Sequence, residues 1–436
     1  MSKRFRNMAS VASLVMLTAT VSACGTDKAG GGASTNSPAQ TEPVEIKFLT
    51  SWVGNHPFAG YLKEEIETFN KQNENRIVVK VEDVPDDSAM NEKLKVMISG
   101  RDFPDIAVTD SGSIADLAAK SGVALDLKPY IEADPDWKSN LDERGMEAWN
   151  HNTGKWHAVT SHKDVVGYFY NKQLFNDAGI QAPATTWEEF FKQCEMLKAK
   201  GIAPIAANTA QNGWTANLWF ISLIGTNGEA GNKLANTNHP ETYETPEVIA
   251  AADNLKKILT QYSTKDAVGL DYAGAMNYFL QGKAAMIANG IWLTADAYDE
   301  QKSIKGLKDN LGVAKFPGDG IFSTPGFTFM ASSLDKKKYD AEVAFIKFLT
   351  DKQGQIDKLT KLNLVPASKN IDVAQYQIDP MLKDLINQAK GAKYTYVTPW
   401  AIYQESVTSN ITQNLASLAF KQTPEQFAKT LTSQIK

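Results

Sequence analysis

Side chains able to act in catalysis occur in this chain, but their spacing specifies no known catalytic site. The sequence has 50 Asp and Glu residues, so a carboxylate pair suited to glycoside hydrolysis can be imagined in many places and is singled out in none. No HExxH, GxSxG or CxxC pattern occurs. The run from Gln281 to Lys283 fails as a phosphate-binding loop, because Ala284 replaces the required hydroxyl residue and Asn277 the first glycine. These patterns predict a protein that is not an enzyme.

The histidines and cysteines predict no metal centre and no cofactor. His151, His157 and His162 lie close together in the sequence, but no acid or cysteine spacing around them specifies a metal. A surface or loop role is expected for them. Of the two cysteines, Cys194 lies alone in the body of the chain, so no disulfide is expected once Cys24 is modified as described next.

The amino terminus has the pattern of an export signal. A basic start precedes the apolar run 8–21, which is too short to cross a bilayer. Cys24 directly follows two small residues, and this arrangement resembles the lipobox of bacterial lipoproteins, in which that cysteine carries lipid. We therefore expect residues 1–23 to be removed and Cys24 to become a lipidated amino terminus. The alternative is a soluble secreted protein with one unmodified cysteine.

A flexible tether and a large globular body follow the signal. Residues 24–43 contain no large apolar side chain, which predicts a disordered tether with a reach of roughly 25 Å. The body from Val44 is too long for one compact domain, so two domains are expected. The net charge of −5 becomes −8 once the signal, with three basic and no acidic residues, is removed. This charge argues against nucleic acid or anionic lipid as the ligand.

Short strands alternate with helices along the body. Alternating and helical apolar spacing predicts strands over 44–49, 76–81, 105–108 and 165–170, and helices over 58–71, 90–98 and 190–197. Asn171 is placed to cap one helix, and Thr186 has capping-box spacing before another. Such alternation predicts a mostly parallel sheet covered by helices, with a second α/β unit beginning near Val165.

Several segments, in order, resemble one known family. These are GKWHAVTSHKDVVGYFYNKQLFNDAGI (154–180), APATTWEEFFKQCEMLKAKGIAPIA (182–206), FLQGKAAMIANGIW (279–292), GVAKFPG (312–318), PGFTFMASS (325–333), AEVAFIKFLTD (341–351) and LVPASKN (364–370). Together they are similar to the extracellular solute-binding proteins of carbohydrate ABC importers, family 1, of the maltose and multiple-sugar type. The resemblance covers essentially the whole body.

The resemblance implies a fold and a function. The fold would be a class II, periplasmic-binding-protein-like α/β fold, with two lobes that are each a mostly parallel sheet flanked by helices and with the ligand cleft between them. The first lobe would hold 44–161 and 322–367, and the second 162–321 and 368–436. The protein would be a monomer, lipid-anchored on the outer face of the cytoplasmic membrane, that passes an oligosaccharide to an ABC permease.

Candidate ligand contacts follow the ends of predicted strands. Trp52 comes shortly after the first strand, and Asn55 follows in the same loop. A pyranose has an apolar face and a rim of hydroxyls, which flat aromatic rings and short polar side chains can bind. Asp110 ends the third strand and Asp164 precedes Val165, so both carboxylates could accept sugar hydroxyls. Alternatively, Trp52 closes the core at the sheet edge and each aspartate caps a neighbouring helix. Lys163 could pair with Asp164 and have no other role.

The segment GKAAMIANGIW gives a second set of contacts. Gly282 is expected to end a helix, 284–288 to form a tightly packed strand, Asn289 and Gly290 to turn, and Trp292 to open the next element. In the family that this segment resembles, the tryptophan commonly forms a wall of the sugar cleft. The resemblance therefore implies that Trp292, and with it Asn289, contacts ligand.

Other aromatic residues complete the predicted site. Trp214 lies in the polar run QNGWTANLW, Phe327 follows a Pro-Gly pair, and Trp400 follows Pro399 with Tyr403 on the next helical turn. All four are candidate ligand contacts. The remaining tryptophans are expected to pack in the core: Trp137, Trp149, Trp156, Trp187 and Trp219.

Two other functions remain open. The same fold could bind another solute such as a peptide or glycerol phosphate, but a phosphate needs an arginine cluster, and beyond the signal only Arg76, Arg101 and Arg144 occur. A surface glycoside hydrolase or a carbohydrate sensor is the alternative from a different class of protein.

Overall fold

The structure is a computed structural model that describes residues 42–150, 154–237, 240–402 and 405–435. From Pro43 onwards the described residues form one compact unit. The predicted signal, the lipidation of Cys24 and most of the tether, as well as His151 and Tyr403, lie outside the described residues. No helix in the described part of the chain is both long and apolar enough to cross a membrane.

The strands of the described residues are short and spread along the chain. They are β1 (Val44–Thr50), β2 (Ile77–Asp83), β3 (Ile106–Thr109), β4 (Val159–Thr160), β5 (Lys163–Asn171), β6 (Ala203–Ala206), β7 (Ala284–Gly290), β8 (Leu311–Ala314), β9 (Gly320–Pro325), β10 (Thr328–Ala331) and β11 (Tyr394–Tyr396).

The helices of the described residues fill the intervals between the strands. They are α1 (Ala59–Gln72), α2 (Asp87–Gly100), α3 (Gly112–Lys120), α4 (Lys128–Glu132), α5 (Pro135–Asn140), α6 (Glu143–Asn150), α7 (Lys172–Asp177), α8 (Trp187–Ala199), α9 (Trp214–Gly225), α10 (Gly228–Ala235), α11 (Pro246–Lys257), α12 (Tyr272–Leu280), α13 (Leu293–Ala297), α14 (Leu307–Asn310), α15 (Tyr339–Thr350), α16 (Lys352–Leu362), α17 (Pro380–Lys390), α18 (Pro399–Ile402), α19 (Glu405–Phe420) and α20 (Pro424–Thr432).

Two separate sheets confirm the predicted α/β class. The first sheet has the strand order β2-β1-β3-β10-β4, and the second has the order β11-β9-β5-β7-β6, with β8 also paired to β5. Both sheets are mixed, whereas mostly parallel sheets were predicted. The reason is that β10 runs antiparallel to β3 and β4, and β5 runs antiparallel to β7, β8 and β9. These strands enter their sheets from the other sheet, so their direction is set by the crossing.

Neighbouring segments carry the chain between the two sheets. One runs from β4 to β5 through Ser161 and His162, and a second runs from β9 to β10 through Gly326 and Phe327. The backbone N–H of Ser161 donates to the carbonyl oxygen of Phe327 at 2.7 Å, and that of Gly326 donates to the carbonyl oxygen of His162 at 2.8 Å. A third segment passes Val365, whose carbonyl oxygen accepts from the Lys163 N–H at 2.8 Å. β9 pairs with the second sheet up to Pro325, beyond the predicted lobe boundary at 321/322.

Local sequence signals predict the elements well. Each predicted strand and helix is present with bounds that differ by at most three residues. Asn171 caps α7 by accepting from the N–H groups of residues 173 and 174. Thr186 caps α8 by accepting from the Glu189 N–H at 3.2 Å, but the Glu189 carboxylate accepts from the Thr185 N–H and not from the cap residue. The predicted capping box is therefore only half formed.

Burial follows the apolar spacing of the helices. Leu62, Ile66 and Phe69 of α1 recur every three or four residues, are buried, and belong to the core of the first sheet. The Phe69 ring lies 4.9 Å from that of Phe345 on α15. Of the tryptophans assigned to the core, Trp137, Trp149 and Trp219 are buried, whereas Trp156 and Trp187 are only partly buried. Cys194 is also buried, as a free thiol.

Candidate functional site

Four aromatic side chains from four separate segments meet beside the second sheet. This aromatic cluster consists of Trp214, Tyr272, Trp292 and Trp400, all partly exposed. The Trp214 ring contacts the other three, with centroid separations of 4.9 Å to Tyr272, 6.0 Å to Trp292 and 6.3 Å to Trp400. The planes of Trp214 and Trp400 are nearly perpendicular, at 88°. The cluster therefore forms a corner with aromatic faces on more than one side.

Trp214 reaches this corner because it is the first residue of α9. The rest of α9 is buried. Gly213 precedes it in the left-handed backbone region, with φ of +54°, which a residue with a Cβ rarely adopts. A Cβ at Gly213 would also approach the Leu415 side chain to 3.0 Å. The glycine thus lets the chain turn into a buried helix and leaves the first side chain at its exposed end.

Trp292 is held by the end of β7. A Cβ at Gly290 would lie 2.2 Å from the nearest atom of the Trp292 ring, so the indole rests on this glycine. Asn289 and Gly290, predicted to turn, instead stay in β7, where they pair with Gly167 and Val166 of β5. The turn prediction is wrong because β5 offers partners for two residues beyond the predicted end of β7 at residue 288. Trp292 opens α13 as predicted.

Asn289 lies beneath the aromatic cluster and not on its surface. The residue is 0% exposed, and its amide Nδ2 donates to the Tyr272 hydroxyl at 3.1 Å. Its Oδ1 accepts from the Gly290 N–H at 2.9 Å. The sequence predicts that Asn289 contacts the ligand, and it gives only a weak signal for Tyr272. That signal is the position of Tyr272 directly after Asp271, which caps α12 by accepting from the Gly274 N–H through its carboxylate.

Trp52 lies in the core of the first sheet. Its side chain is only 1% exposed and meets Phe58 at 5.1 Å and Phe327 at 5.3 Å, both edge-on. This burial agrees with the alternative interpretation of Trp52 as a core residue at the sheet edge. Phe327 is partly exposed, and Asn55 is exposed in the loop between β1 and α1.

His56, in the loop of Asn55, presents one defined donor. Its Nδ1 accepts from the Phe58 N–H at 3.1 Å, so the ring hydrogen lies on Nε2. Burial lowers the pKa of His56 to about 4, which keeps the imidazole neutral at physiological pH. The ring stacks against Trp52 at 6.3 Å. This partly exposed loop can therefore offer an imidazole N–H beside the Asn55 amide.

A cavity of about 480 Å³ lies beside the same loop. It lies between α1 and β2, and most of its lining is apolar. Lys63 and Glu67 are the charged residues that line it, and neither Asn55 nor Asp110 does. A sugar site needs convergent hydrogen-bonding groups, so we do not assign the ligand to this cavity.

Asp110 lies at the end of β3 in a group of polar side chains. Its Oδ1 accepts from the Asn91 amide at 3.1 Å, and Asn91 in turn accepts from the Thr109 hydroxyl at 2.7 Å. The cap of α3 is Ser111, so the alternative that Asp110 caps this helix is wrong. Asp87, which sequence reasoning missed, hydrogen-bonds to the Ser51 hydroxyl. Burial and the nearby Asp110 raise the pKa of Asp87 to about 7.

Asp164 lies at the crossing between the two sheets. Its Oδ1 is 3.1 Å from Nε2 of His162, which is buried. Lys163 pairs with Asp142. The alternative in which Lys163 pairs with Asp164 is therefore wrong, because consecutive residues of a strand point to opposite faces. The His162 ring lies 6.1 Å from Phe327, which places Asp164 and Phe327 on the same crossing.

A close approach of backbone joins α3, next to the first sheet, to α18, which carries Trp400 of the aromatic cluster. A Cβ at Gly112, the first residue of α3, would lie 2.2 Å from the carbonyl oxygen of Ala401 in α18. Gly112 follows Asp110 by two residues, and Ala401 is next to Trp400. Asp110 and the aromatic cluster therefore lie at the same junction between the two sheets.

This junction has the groups that a sugar requires. Aromatic faces lie on the side of the second sheet, and carboxylates and amides lie on the side of the first sheet and at the crossing. Among the residues that the structure describes, no group of three or more His, Cys, Asp or Glu side chains could hold a metal ion. The arrangement suits non-covalent binding of a ring-shaped solute with an apolar face and hydroxyl groups.

Comparison with known proteins gives one family match and several relatives. The profile of a family described as bacterial extracellular solute-binding protein matches residues 55–356. A multiple sugar-binding protein of Streptococcus mutans is 28% identical over 302 residues, which cover 66% of this chain and 67% of that protein. A diacetylchitobiose-binding protein of Streptomyces coelicolor is 27% identical over 284 residues, 61% of each chain.

Solved structures share the whole fold. A protein named chitin oligosaccharide binding protein superimposes with a TM-score of 0.79 at 25% identity. The match covers 90% of this chain and 98% of that one. The similarity thus extends over both sheets and the crossings between them.

Proposed function

Because the chain belongs to the family of bacterial extracellular solute-binding proteins, we propose that it captures an oligosaccharide outside the cell and delivers it to the permease of an ABC importer. The observation that carries this proposal is the aromatic cluster, where three indoles and one phenol converge with their faces partly exposed. Aromatic corners of this kind bind the CH faces of sugar rings.

The side chains divide into two roles in this proposal. Trp214, Trp292 and Trp400 supply the faces on which sugar rings stack. Asn55, Asp110 and Asp164 supply hydrogen bonds to sugar hydroxyls, with carboxylates as the stronger acceptors. Phe327 borders the same crossing as Asp164. Asn289 and Trp52 act from beneath the surface, since both are buried.

Binding would act by shifting a conformational equilibrium. A solute held by the aromatic cluster on one side and by Asp110 on the other favours the form in which the two lobes are closed. The permease would recognise this closed form. The relatives named above are binding proteins, and we propose no catalytic step for this chain.

The export signal gives the proposed location. Lipid on Cys24 would hold the protein at the outer face of the cytoplasmic membrane, and the tether would let the body reach the permease. We propose a monomeric body with two lobes. The first lobe holds residues 44–161 and 322–367, and the second holds residues 162–321 and 368–436. The pairing of β9 with the second sheet favours moving the middle boundary to Gly326.

Thermal-shift and tryptophan fluorescence titrations of the body from Val44 test the function. The panel holds maltotriose, chitotriose, xylotriose and raffinose. We expect one class of sugar to raise the melting temperature, with stabilisation of about 2.7 kcal/mol at a hundredfold excess over its Kd. No response to any sugar from a folded protein would overturn the proposal and favour a peptide or another solute. Release of new reducing ends during the incubation would instead indicate a hydrolase.

A further inference from the structure

We propose that Tyr272 is a specificity-determining residue of this site, whose hydroxyl donates a hydrogen bond to an oxygen atom of the bound sugar. Asn289 is a positioning residue that acts through Tyr272, because it fixes the direction of that donation. The inference rests on the proposed function and adds one requirement to it. The solute must present an oxygen acceptor at the rim of the aromatic cluster.

The orientation of the Asn289 amide is fixed by its surroundings. The residue is fully buried, and its Oδ1 accepts from the N–H of Gly290 at 2.9 Å. Nδ2 therefore points the other way, where it lies 3.1 Å from the Tyr272 hydroxyl and 3.3 Å from the Met276 sulfur. An amide nitrogen only donates, so the tyrosine oxygen is the acceptor in this bond.

The hydroxyl hydrogen of Tyr272 has no acceptor in the part of the chain that the structure describes. Burial raises the pKa of Tyr272, and the hydrogen bond from Asn289 opposes the rise. A phenol oxygen can accept such bonds and still carries its own hydrogen. Among the described residues, none accepts a hydrogen bond from Tyr272.

Two other tyrosines of this lobe, Tyr278 and Tyr298, donate within the protein. The Tyr278 hydroxyl, on the same helix α12, donates to Oδ2 of Asp266 at 2.9 Å. The Tyr298 hydroxyl donates to Oδ1 of Asp379 at 3.1 Å. These two hydrogens have acceptors within the protein, whereas no described residue accepts the hydrogen of Tyr272. The hydrogen of Tyr272 is therefore available to a ligand.

The position of Tyr272 suits a bound sugar. Its ring is partly exposed and lies 4.9 Å from that of Trp214, so a sugar ring stacked on Trp214 would lie beside Tyr272. A sugar hydroxyl, ring oxygen or acetamido carbonyl oxygen can accept the hydrogen. An ammonium group cannot accept it, so a cationic solute is disfavoured here.

A double-mutant cycle on affinity tests the inference. The probe is the sugar from the panel of maltotriose, chitotriose, xylotriose and raffinose that the wild-type protein binds most tightly. We expect Tyr272→Phe to lower affinity about 3- to 10-fold, the size of one net hydrogen bond. Asn289→Asp should cause a similar loss, because a carboxylate oxygen would accept the tyrosine hydrogen and turn it inward. The double variant should bind no more weakly than Tyr272→Phe alone.

Controls separate this inference from the function on which it rests. Tyr278→Phe removes a hydroxyl from the same helix and should leave affinity unchanged. Unchanged affinity of Tyr272→Phe would overturn the inference alone, and additive losses in the double variant would overturn the role of Asn289. Failure of the wild-type protein to bind any panel sugar would overturn the proposed function itself. If the Asn289→Asp variant fails to fold, the affinity of the Tyr272→Phe variant alone tests whether the tyrosine hydroxyl binds the sugar, because that substitution removes only one oxygen atom.

Discussion

Replacing Gly290 by alanine should displace Trp292 without changing any residue that faces the ligand. The added Cβ would lie 2.2, 2.3 and 2.7 Å from three atoms of the indole, whereas ordinary contacts begin near 3.4 Å. The ring must therefore move by at least about 1 Å. The backbone of Gly290 pairs with Val166 within a sheet, where alanine is readily accommodated, so the fold should be retained.

The expected loss of affinity follows from the aromatic area that the sugar would no longer cover. If a sugar ring covers about 70 Å² of the indole, the loss at ~25 cal/mol per Å² is about 1.8 kcal/mol, or about 20-fold in Kd. Isothermal titration calorimetry with the tightest-binding panel sugar measures this change. Gly391→Ala is the matched control, because a Cβ there meets its nearest atom at 3.7 Å. Wild-type affinity in a folded Gly290→Ala variant would refute the assignment of Trp292 to the site.

Three further predictions concern pH, anchoring and contact between the lobes. Burial, with a smaller effect from Asp105, raises the pKa of Glu342 from 4.5 to about 9, so its folded form holds a proton that the unfolded form loses. Its contribution to stability is present below about pH 4.5 and is lost as the pH rises towards 9. The melting temperature of Glu342→Gln should therefore increase relative to that of the wild-type protein as the pH rises from 5 to 9. A difference in melting temperature that stays constant over this range would contradict the prediction. Cys24→Ala should move the protein from the membrane fraction to the soluble fraction of cells, and continued membrane association would argue against a lipid anchor. Gly112→Val should push Ala401 away and weaken sugar binding. In saturating sugar, small-angle scattering should give this variant a larger radius of gyration than the wild-type protein. An unchanged affinity and radius of gyration would show that this contact is dispensable.

Local signals predict what depends on neighbouring residues. Asn171 and Thr186 cap their helices because the groups that they bind lie two or three residues further along the chain. Trp292 opens α13 for a similar reason, since the preceding strand ends beside it. Order and bounds of the elements are therefore predictable from one sequence.

Contacts between distant segments decide the rest. The direction of β5 depends on where the chain crosses from the first sheet, which alternation of strands and helices does not reveal. Asn289 reads as a polar residue near a turn, but pairing with Gly167 of β5 keeps it in the sheet. Its hydrogen bond to Tyr272 joins residues 17 positions apart, so the importance of the tyrosine emerges only in three dimensions.

The three crossing segments lie side by side and are joined by backbone hydrogen bonds at Ser161, Gly326 and Lys163. A single connection would let the two lobes swivel in any direction, whereas a row of three permits bending about one axis and resists twisting. Each opening and closing would then retrace the same path, and the indole of Trp400 would return to the same neighbours beside Gly112. In this protein, the precise approach of the two lobes would come from a narrow ribbon of three backbone segments, which also carries Asp164 and Phe327.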